Sequence, residues 1–400
     1  MIELRKSMEG SGWINDYLEF TQWCESPDKF HLWTALWCIA SVVGRKVYSN
    51  ILGYKTSRIY PNVFIALVAE SAWCRKGTAG KMGRSLVRKI PSVEWLERRT
   101  TPERIFQKMQ ELNDDGKDAS VTLFCEELAQ FIGTDIVKRN FVPDLHQWYD
   151  CEDEADYGTK TAGVFPLRDC CFNLLGCATP QFLNIIMPKE ALGMGLEGRM
   201  LFVMAKKWRR PIAIPRKHMP NNGEMEKLED DLVKRLEKMS KISGDFEFDQ
   251  ETEDIYEQWY ERENRRSNFH TFFEPYHGRR HTHVIKTAIL FALSRGSEGI
   301  ITKSDFLLSI RALRTVEDDM DSALSLIDAS DFTRHFNELR ECLRRNAPIT
   351  RSQLLQKFRK FDARRLTAAM KSLEDEGFVV TEYIGDGTSK KEIYRIVKDK

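Results

Sequence analysis

The sequence predicts an α/β core built on a largely parallel sheet, with helical modules before and after it. Three observations carry that expectation. Four apolar runs of strand length alternate with helix-patterned segments between residues 59 and 214. The first of those runs passes straight into a small, basic loop and then a helix. The character of the chain then changes after Pro215 and again near residue 328. The expected organisation is a helical segment at 1–58, the core at 59–214, a helical module at 215–327 and a separate domain at 328–400.

Taken in order, "INDYLEFTQW" and "DKFHLWTALWCIASVVGRK" read as helices, the second with Asp28 as its N-cap. "RKVYSNI" reads as a short strand and "IYPNVFIALVA" as a buried one, followed by the loop and the helix "AGKMGRSLVRKI". "TPERIFQKMQEL" is a helix capped by Thr101. "ASVTLFCEEL", "RDCCFNLLGCATP" and "RMLFVMAKKW" are the second, third and fourth apolar strands of the core. "GEMEKLEDDLVKRLEKMSKI", "QETEDIYEQWYERENRR" and "HTHVIKTAILFALSR" form the helical module. The last segment gives three helices, with caps at Thr350 and Asp362 and a stop at Gly377, and then a hairpin with a Gly-rich tip, "GDGTSK".

Composition narrows the functional classes. The chain has 400 residues, 42% hydrophobic and 30% charged, with a formal net charge of +1. No global field draws it to nucleic acid, so any basic surface is local. No apolar run reaches the length of a membrane span, and the first residues lack the apolar stretch of a secretion signal. The nine cysteines form no CxxC pair and none has zinc-ligand spacing with histidine, so the expectation is a reducing cytoplasm with neither disulfides nor a structural metal.

The chemistry-bearing stretch is "VFIALVAESAWCRKGTAG", Val63 to Gly80. A phosphate loop needs a strand, inward-turned N–H groups, and a lysine just before a helix N-terminus. Lys76 stands at that junction, with Arg75 before it and Gly77 and Thr78 after it. Alanine replaces glycine at Ala69 and Ala72, which restricts access to positive φ. Thr78 is the nearest hydroxyl for Mg²⁺. Glu126 and Glu127 end the second core strand, where carboxylates can hold a metal's water shell and polarise an attacking water; equally, they can cap the helix that follows. Thr179 ends the third strand, where it reads by itself as the strand-ending turn before Pro180 and, beside a phosphate loop, as a residue placed to sense a γ-phosphate. Arg199, in "GMGLEGRML", reads either as an arginine that reaches a neighbouring subunit's nucleotide or, as lone arginines more often are, as a surface salt-bridge residue.

These stretches, with "FHLWTALWCIASVVGRKVY" and "TKTAGVFPLRDCCFNLLGCATPQFL", resemble the P-loop ATPase of phages and mobile elements, primase-associated or helicase-like. In that family the loop commonly reads as glycine, five residues, then Arg-Lys-Gly. Ala69 followed by Arg75-Lys76-Gly77 keeps that spacing and departs at the glycine. The resemblance covers roughly residues 15 to 300. It implies a RecA- or AAA+-like P-loop NTPase core, with N-terminal helices and a helical lid, that uses ATP and Mg²⁺ and works on DNA as a ring, expected to be a homo-hexamer. Carried over, Ala69, Arg75, Lys76, Gly77 and Thr78 bind phosphate, Thr78 and Glu126 serve Mg²⁺, and Glu126 and Glu127 are the acidic pair. Thr179 is the sensor and Arg199 the finger. By the same likeness, "ADYGTKTAGVFPL" is a pore hairpin with Lys160 at its tip, and Arg279 or Arg280 is a lid arginine on the γ-phosphate.

The end of the chain has the element order of a winged helix, and residues 346–400 hold twelve Lys/Arg against eight Asp/Glu. Arg364, Arg365 and Lys371 on the presumed recognition helix, and Lys390 and Lys391 at the wing, are placed to contact DNA, and a winged helix used for protein contacts is the alternative. The expectation is a replicative helicase of a phage or mobile element, in the host cytoplasm, with single-stranded DNA or an origin duplex as partner and priming by a separate protein. An ATP-switched initiator and a helicase loader stay open beside it.

Overall fold

The computed structural model describes residues 12–96, 100–132, 141–159, 163–180, 195–264, 274–319, 336, 338–358, 363–384 and 391–397. The chain divides into two compact units, Met1–Ala323 and Leu324–Lys400. The three segments expected before residue 328 therefore belong mainly to one unit.

The first unit opens with α1 (Gly12–Phe20), α2 (Asp28–Val43) and β1 (Val47–Tyr48). The strand β2 (Phe64–Val68) leads to α3 (Lys76–Val87), then α4 (Pro102–Asp114), β3 (Ala119–Cys125), α5 (Leu128–Ile132) and α6 (Phe141–Asp150). A hairpin of β4 (Glu154–Thr159) and β5 (Gly163–Arg168) precedes β6 (Cys170–Ala178) and β7 (Met200–Met204). The unit ends with α7 (Asn222–Met239), β8 (Gly244–Asp245), β9 (Glu247–Phe248), α8 (Gln250–Asn264), α9 (Glu274–Arg295), β10 (Ile300–Ile301) and α10 (Lys303–Glu317).

Four strands make the central sheet, in the order β3-β6-β2-β7, and every pairing is parallel. All residues of β2, β6 and β7 are buried, which is why they read as unbroken apolar runs rather than alternating ones. One face is covered by α2 and α3. Asn173 of β6 donates to Ala40 O of α2 (3.2 Å), and Trp37 of α2 meets the ring of Phe124 of β3. The other face is covered by α5 and α6, through Phe172 against Phe131 and Trp148. Helix α2 is buried on all sides from Phe30 to Val43, so its sequence shows almost no polar stripe. Its first residue is Asp28, the expected cap; Pro27 takes the cap position instead, and Asp28 pairs with Arg209 (2.7 Å).

Close packing leaves its mark on α3. A Cβ at Gly80 would stand 2.2 Å from the Phe124 ring, and one at Gly83 2.3 Å from Thr34 Cγ2. Both glycines let α3 lie directly on β3 and α2. Thr101 caps α4 as expected, accepting from Arg104 N.

The second unit holds β11 (Ile349–Thr350), α11 (Arg351–Lys357), α12 (Ala363–Asp375), β12 (Val379–Ile384) and β13 (Lys391–Ile396). Its small antiparallel sheet has the order β11-β13-β12. Thr350 and Gln353 form a capping box on α11. The unit has its own core, in which Leu343, Leu354, Leu366, Leu373 and Tyr394 meet. Asp362 lies outside the described residues. Among the described residues, no helix is long and apolar enough to cross a membrane.

Candidate functional site

In a parallel sheet the strand ends gather at one edge. The carboxyl ends of β2, β3, β6 and β7 share such an edge, where loops can converge on a ligand. The loop from Ala69 to Arg75 leaves β2 there and enters α3 at Lys76. It takes left-handed backbone at Ala72 (φ 56°), Cys74 (φ 57°) and Arg75 (φ 47°). Glycine would adopt these at little cost, whereas each other residue costs about 1–3 kcal/mol. The loop therefore reaches a glycine-like shape with alanine, cysteine and arginine, and stores strain in doing so. Successive N–H groups in such backbone form an anion-binding concavity.

Lys76 Nζ folds back to the loop, donating to Ala69 O (3.1 Å) and Glu70 O (3.2 Å). No side chain caps the N-terminus of α3; Thr78 N and Ala79 N donate to Arg75 O (3.0 and 3.2 Å), which leaves the N–H groups of Lys76 and Gly77 open to an anion. Glu126, just past β3, lies over this first turn. Its carboxylate pairs with Lys81 (2.6 Å), and a Cβ on Gly77 would be 4.0 Å from Glu126 Oε2. That pair is half-exposed, so it binds weakly and Glu126 can exchange Lys81 for another partner. Glu127 turns away and accepts a hydrogen bond from Gln130 Nε2 on its own helix. Thr179 follows Ala178, whose carbonyl accepts from Ala69 N (3.3 Å), so the end of β6 lies beside the start of the loop. Thr78 is exposed on the first turn of α3. Lys76, Gly77, Thr78, Glu126 and Thr179 are thus brought to one edge.

Arg75 is steered away from the loop's interior. Its Nε pairs with Glu25 (3.1 Å), its carbonyl accepts from Ser26 Oγ (2.9 Å), and its guanidinium lies 5.2 Å from the Trp208 ring centre. The N–H of Ile212, and then Arg75, hold the Glu25 carboxyl below its usual pKa against a counteracting desolvation.

Arg199, Arg279 and Arg280 stand at the opposite edge of the sheet from Lys76. Arg199 immediately precedes β7, at the amino edge of the sheet, a strand length from the loop. With β2 five residues long, that is roughly 15 Å. Arg199 is not exposed: it is 7% accessible, and its guanidinium meets Asp150 Oδ2 (2.5 Å) and Gly195 O (3.0 Å). Arg279 takes the other oxygen of Asp150 (3.1 Å). Burial disfavours the Asp150 charge, but Arg199 and then Arg279 hold its carboxyl below the usual range. The first half of α9 runs along this same edge: a Cβ on Gly198 would stand 2.7 Å from Pro275 O, His283 Nε2 meets Gly198 O (2.9 Å), and Lys286 Nζ meets Asn62 Oδ1 (2.5 Å) just before β2. Neither Arg279 nor Arg280 therefore stands over this chain's own Lys76 loop. Arg280 is buried against Glu317 (2.6 Å) and Glu263 (3.1 Å) and serves to lock α9 to α10 and α8. Between the two arginines, the sequence left the choice open; the structure makes Arg280 a packing residue.

The hairpin β4–β5 is present, and Lys160 at its tip lies outside the described residues, as does Lys390. Lys391 opens β13. Arg364, Arg365 and Lys371 are exposed on α12. Among the described residues, no cluster of three or more His, Cys, Asp or Glu side chains is set to hold a metal.

The sequence reading missed Asp150, whose partners lie far along the chain, and the group around Trp73. Trp73, in the loop itself, packs edge-on to Trp208 (5.1 Å, 85°) beside the basic run "AKKWRR" at 205–210. That interleaving of tryptophan and basic residues was legible, though only the fold sets it against the loop.

No protein-family model matches the chain, and no curated protein matches it. The fold stands on its own: an α/β unit with a four-stranded parallel sheet flanked by helices, compatible with a Rossmann- or P-loop-like core.

Proposed function

We propose that the chain is an ATP-dependent DNA motor of the helicase type, working as a ring of like subunits. One observation carries the reading: the carboxylate of Glu126 lies over the first turn of the helix that Lys76 begins, at the edge where β6 separates β3 from β2. That is an arrangement in which a lysine and open helix N–H groups take the phosphates, while a carboxylate on a non-adjacent strand orients water. Thr78 and Glu126 would hold Mg²⁺ on the phosphates. Lys76, now satisfied by two loop carbonyls, would exchange them for phosphate oxygens. Arg199 would act on a neighbouring subunit's nucleotide only after releasing Asp150.

The second unit is read as a winged helix that recruits DNA. Support comes from its order of helices and hairpin and from exposed Arg364, Arg365 and Lys371. The test is steady-state hydrolysis of Mg-ATP, with and without single-stranded DNA, for wild type and Lys76→Ala. The reading expects turnover that DNA stimulates and Lys76→Ala abolishes. No turnover in the wild type, at concentrations that permit assembly, would replace the motor with an ATP-switched DNA-binding protein.

A further inference from the structure

At the carboxyl edge of β7 the chain runs Ala205-Lys206-Lys207-Trp208-Arg209-Arg210, with four cations and no acid. This segment is pinned against the Lys76 loop: Ala205 N donates to Val68 O (2.9 Å), and Trp73 Nε1 donates to Lys206 O (2.9 Å). Trp73 is 45% exposed. Its ring forms a step with Trp208, and Arg210 lies 5.8 Å from the ring centre of Trp23. Arg209 is neutralised by Asp28 and Arg75 by Glu25. Lys206, Lys207 and Arg210 are exposed and have no carboxylate partner among the described residues.

An exposed indole beside uncompensated cations is the chemistry that takes a nucleic-acid strand: the ring stacks a base and the cations follow the phosphates. A duplex keeps its bases stacked inside, so the indole selects unpaired ones. We propose that Trp73, Lys206, Lys207 and Arg210 form a binding site for single-stranded nucleic acid, distinct from the contacts read for the second unit. The site does not depend on ATP hydrolysis. Because Trp73 lies three residues before Lys76, strand binding and occupancy of the Lys76 loop share one backbone segment.

The test is anisotropy of a fluorescein-labelled oligo(dT) of about twenty nucleotides with the full chain, without ATP, alongside a duplex of equal length. Trp73→Ala is expected to weaken oligo(dT) binding about tenfold or more, from the loss of one stacked base. Trp73→Phe keeps a ring but loses the N–H bond to Lys206, and is expected to stay within about threefold of wild type. That separates stacking from a structural role of the hydrogen bond. Lys206→Ala with Lys207→Ala is expected to flatten the log–log salt dependence by about 1.4 while leaving duplex binding unchanged. Lys76→Ala is expected to bind oligo(dT) like wild type, so failure of the motor reading and failure of this site are distinguishable. Oligo(dT) affinity unchanged in both Trp73→Ala and the double lysine variant would overturn the proposal. So would a Trp73→Phe variant as weak as Trp73→Ala, which would make the indole a strut rather than a platform.

Discussion

The glycine at position 80 offers a prediction whose sign is worked from geometry. Helical Gly→Ala normally stabilises, by about 1 kcal/mol, because alanine has less backbone freedom to lose. In α3, however, the added Cβ would stand 2.2 Å from Phe124 Cε2 and 2.7 Å from Cζ. Carbon atoms in contact rest at about 3.5–4 Å, so something must move by more than about 1 Å. The ring cannot swing aside: Phe124 is 2% exposed and packed at 6.3 Å from Trp37. Overpacking of this kind costs roughly 1–3 kcal/mol. Set against the propensity gain, Gly80→Ala is expected to lose about 1–2 kcal/mol. Gly278 in α9 is the control, since a Cβ there meets nothing within 4 Å. Gly278→Ala is expected to gain about 0.5–1 kcal/mol. The assay is urea unfolding followed by tryptophan fluorescence, which reports the first unit alone because all nine tryptophans lie before residue 260. Equal signs for the two variants, or a Gly80→Ala protein more stable than wild type, would refute the close approach of α3 to β3.

Three further predictions concern the site and its support. Glu126→Gln is expected to lower ATP turnover by about a hundredfold or more, and Glu127→Gln far less, since only Glu126 overlies α3; comparable losses in single-turnover assays would reject this assignment. Arg280→Ala leaves Glu317 and Glu263 facing a vacancy in a buried ion-pair cluster and is expected to cost about 3 kcal/mol or more in a urea titration, whereas a variant of normal stability with lost ATPase activity would restore the lid role. Burial pushes His31 and His283 down to about 3 and His146 down to about 4, so all three fold neutral. Their contribution is complete above the unfolded pKa of about 6.5 and is lost as pH falls toward the folded values, at about 1.4 kcal/mol per pH unit each. Asp144, raised by burial to about 6, works in the opposite direction between there and about 3.9, and offsets one of them. A urea midpoint that stays flat from pH 7 to pH 5 would contradict the net loss.

Much of the core was legible because parallel strands buried on both faces leave a simple trace. "FIALV", "CCFNLLGCA" and "MLFVM" are continuous apolar runs, and they are β2, β6 and β7. The junction at Lys76 was legible too, because the break from apolar strand to small and basic residues is local. Strand order was not, since periodicity says nothing about which run lies beside which. Nor were the surroundings of the arginines. Arg199 and Asp150 are 49 positions apart and Arg280 and Glu317 37 apart, and a charged residue in a sequence looks exposed until its distant partner is known. Pairings such as β1 with β8 and β9 with β10 are two residues long and leave almost no pattern to read.

The distance between the two edges of the sheet also bears on assembly. Arg199 is fixed at one edge and Lys76 at the other, so no side-chain movement brings them together within one chain. If they cooperate, it is across a contact between subunits, in which the edge of one subunit's sheet that carries Arg199 meets the opposite edge of another. A two-fold dimer could join them only reciprocally, with both edges inside one self-complementary patch, so that Arg199 of each copy met the other's loop. Head-to-tail contacts repeat instead, closing into a ring when the rotation allows it and running on as a filament when it does not.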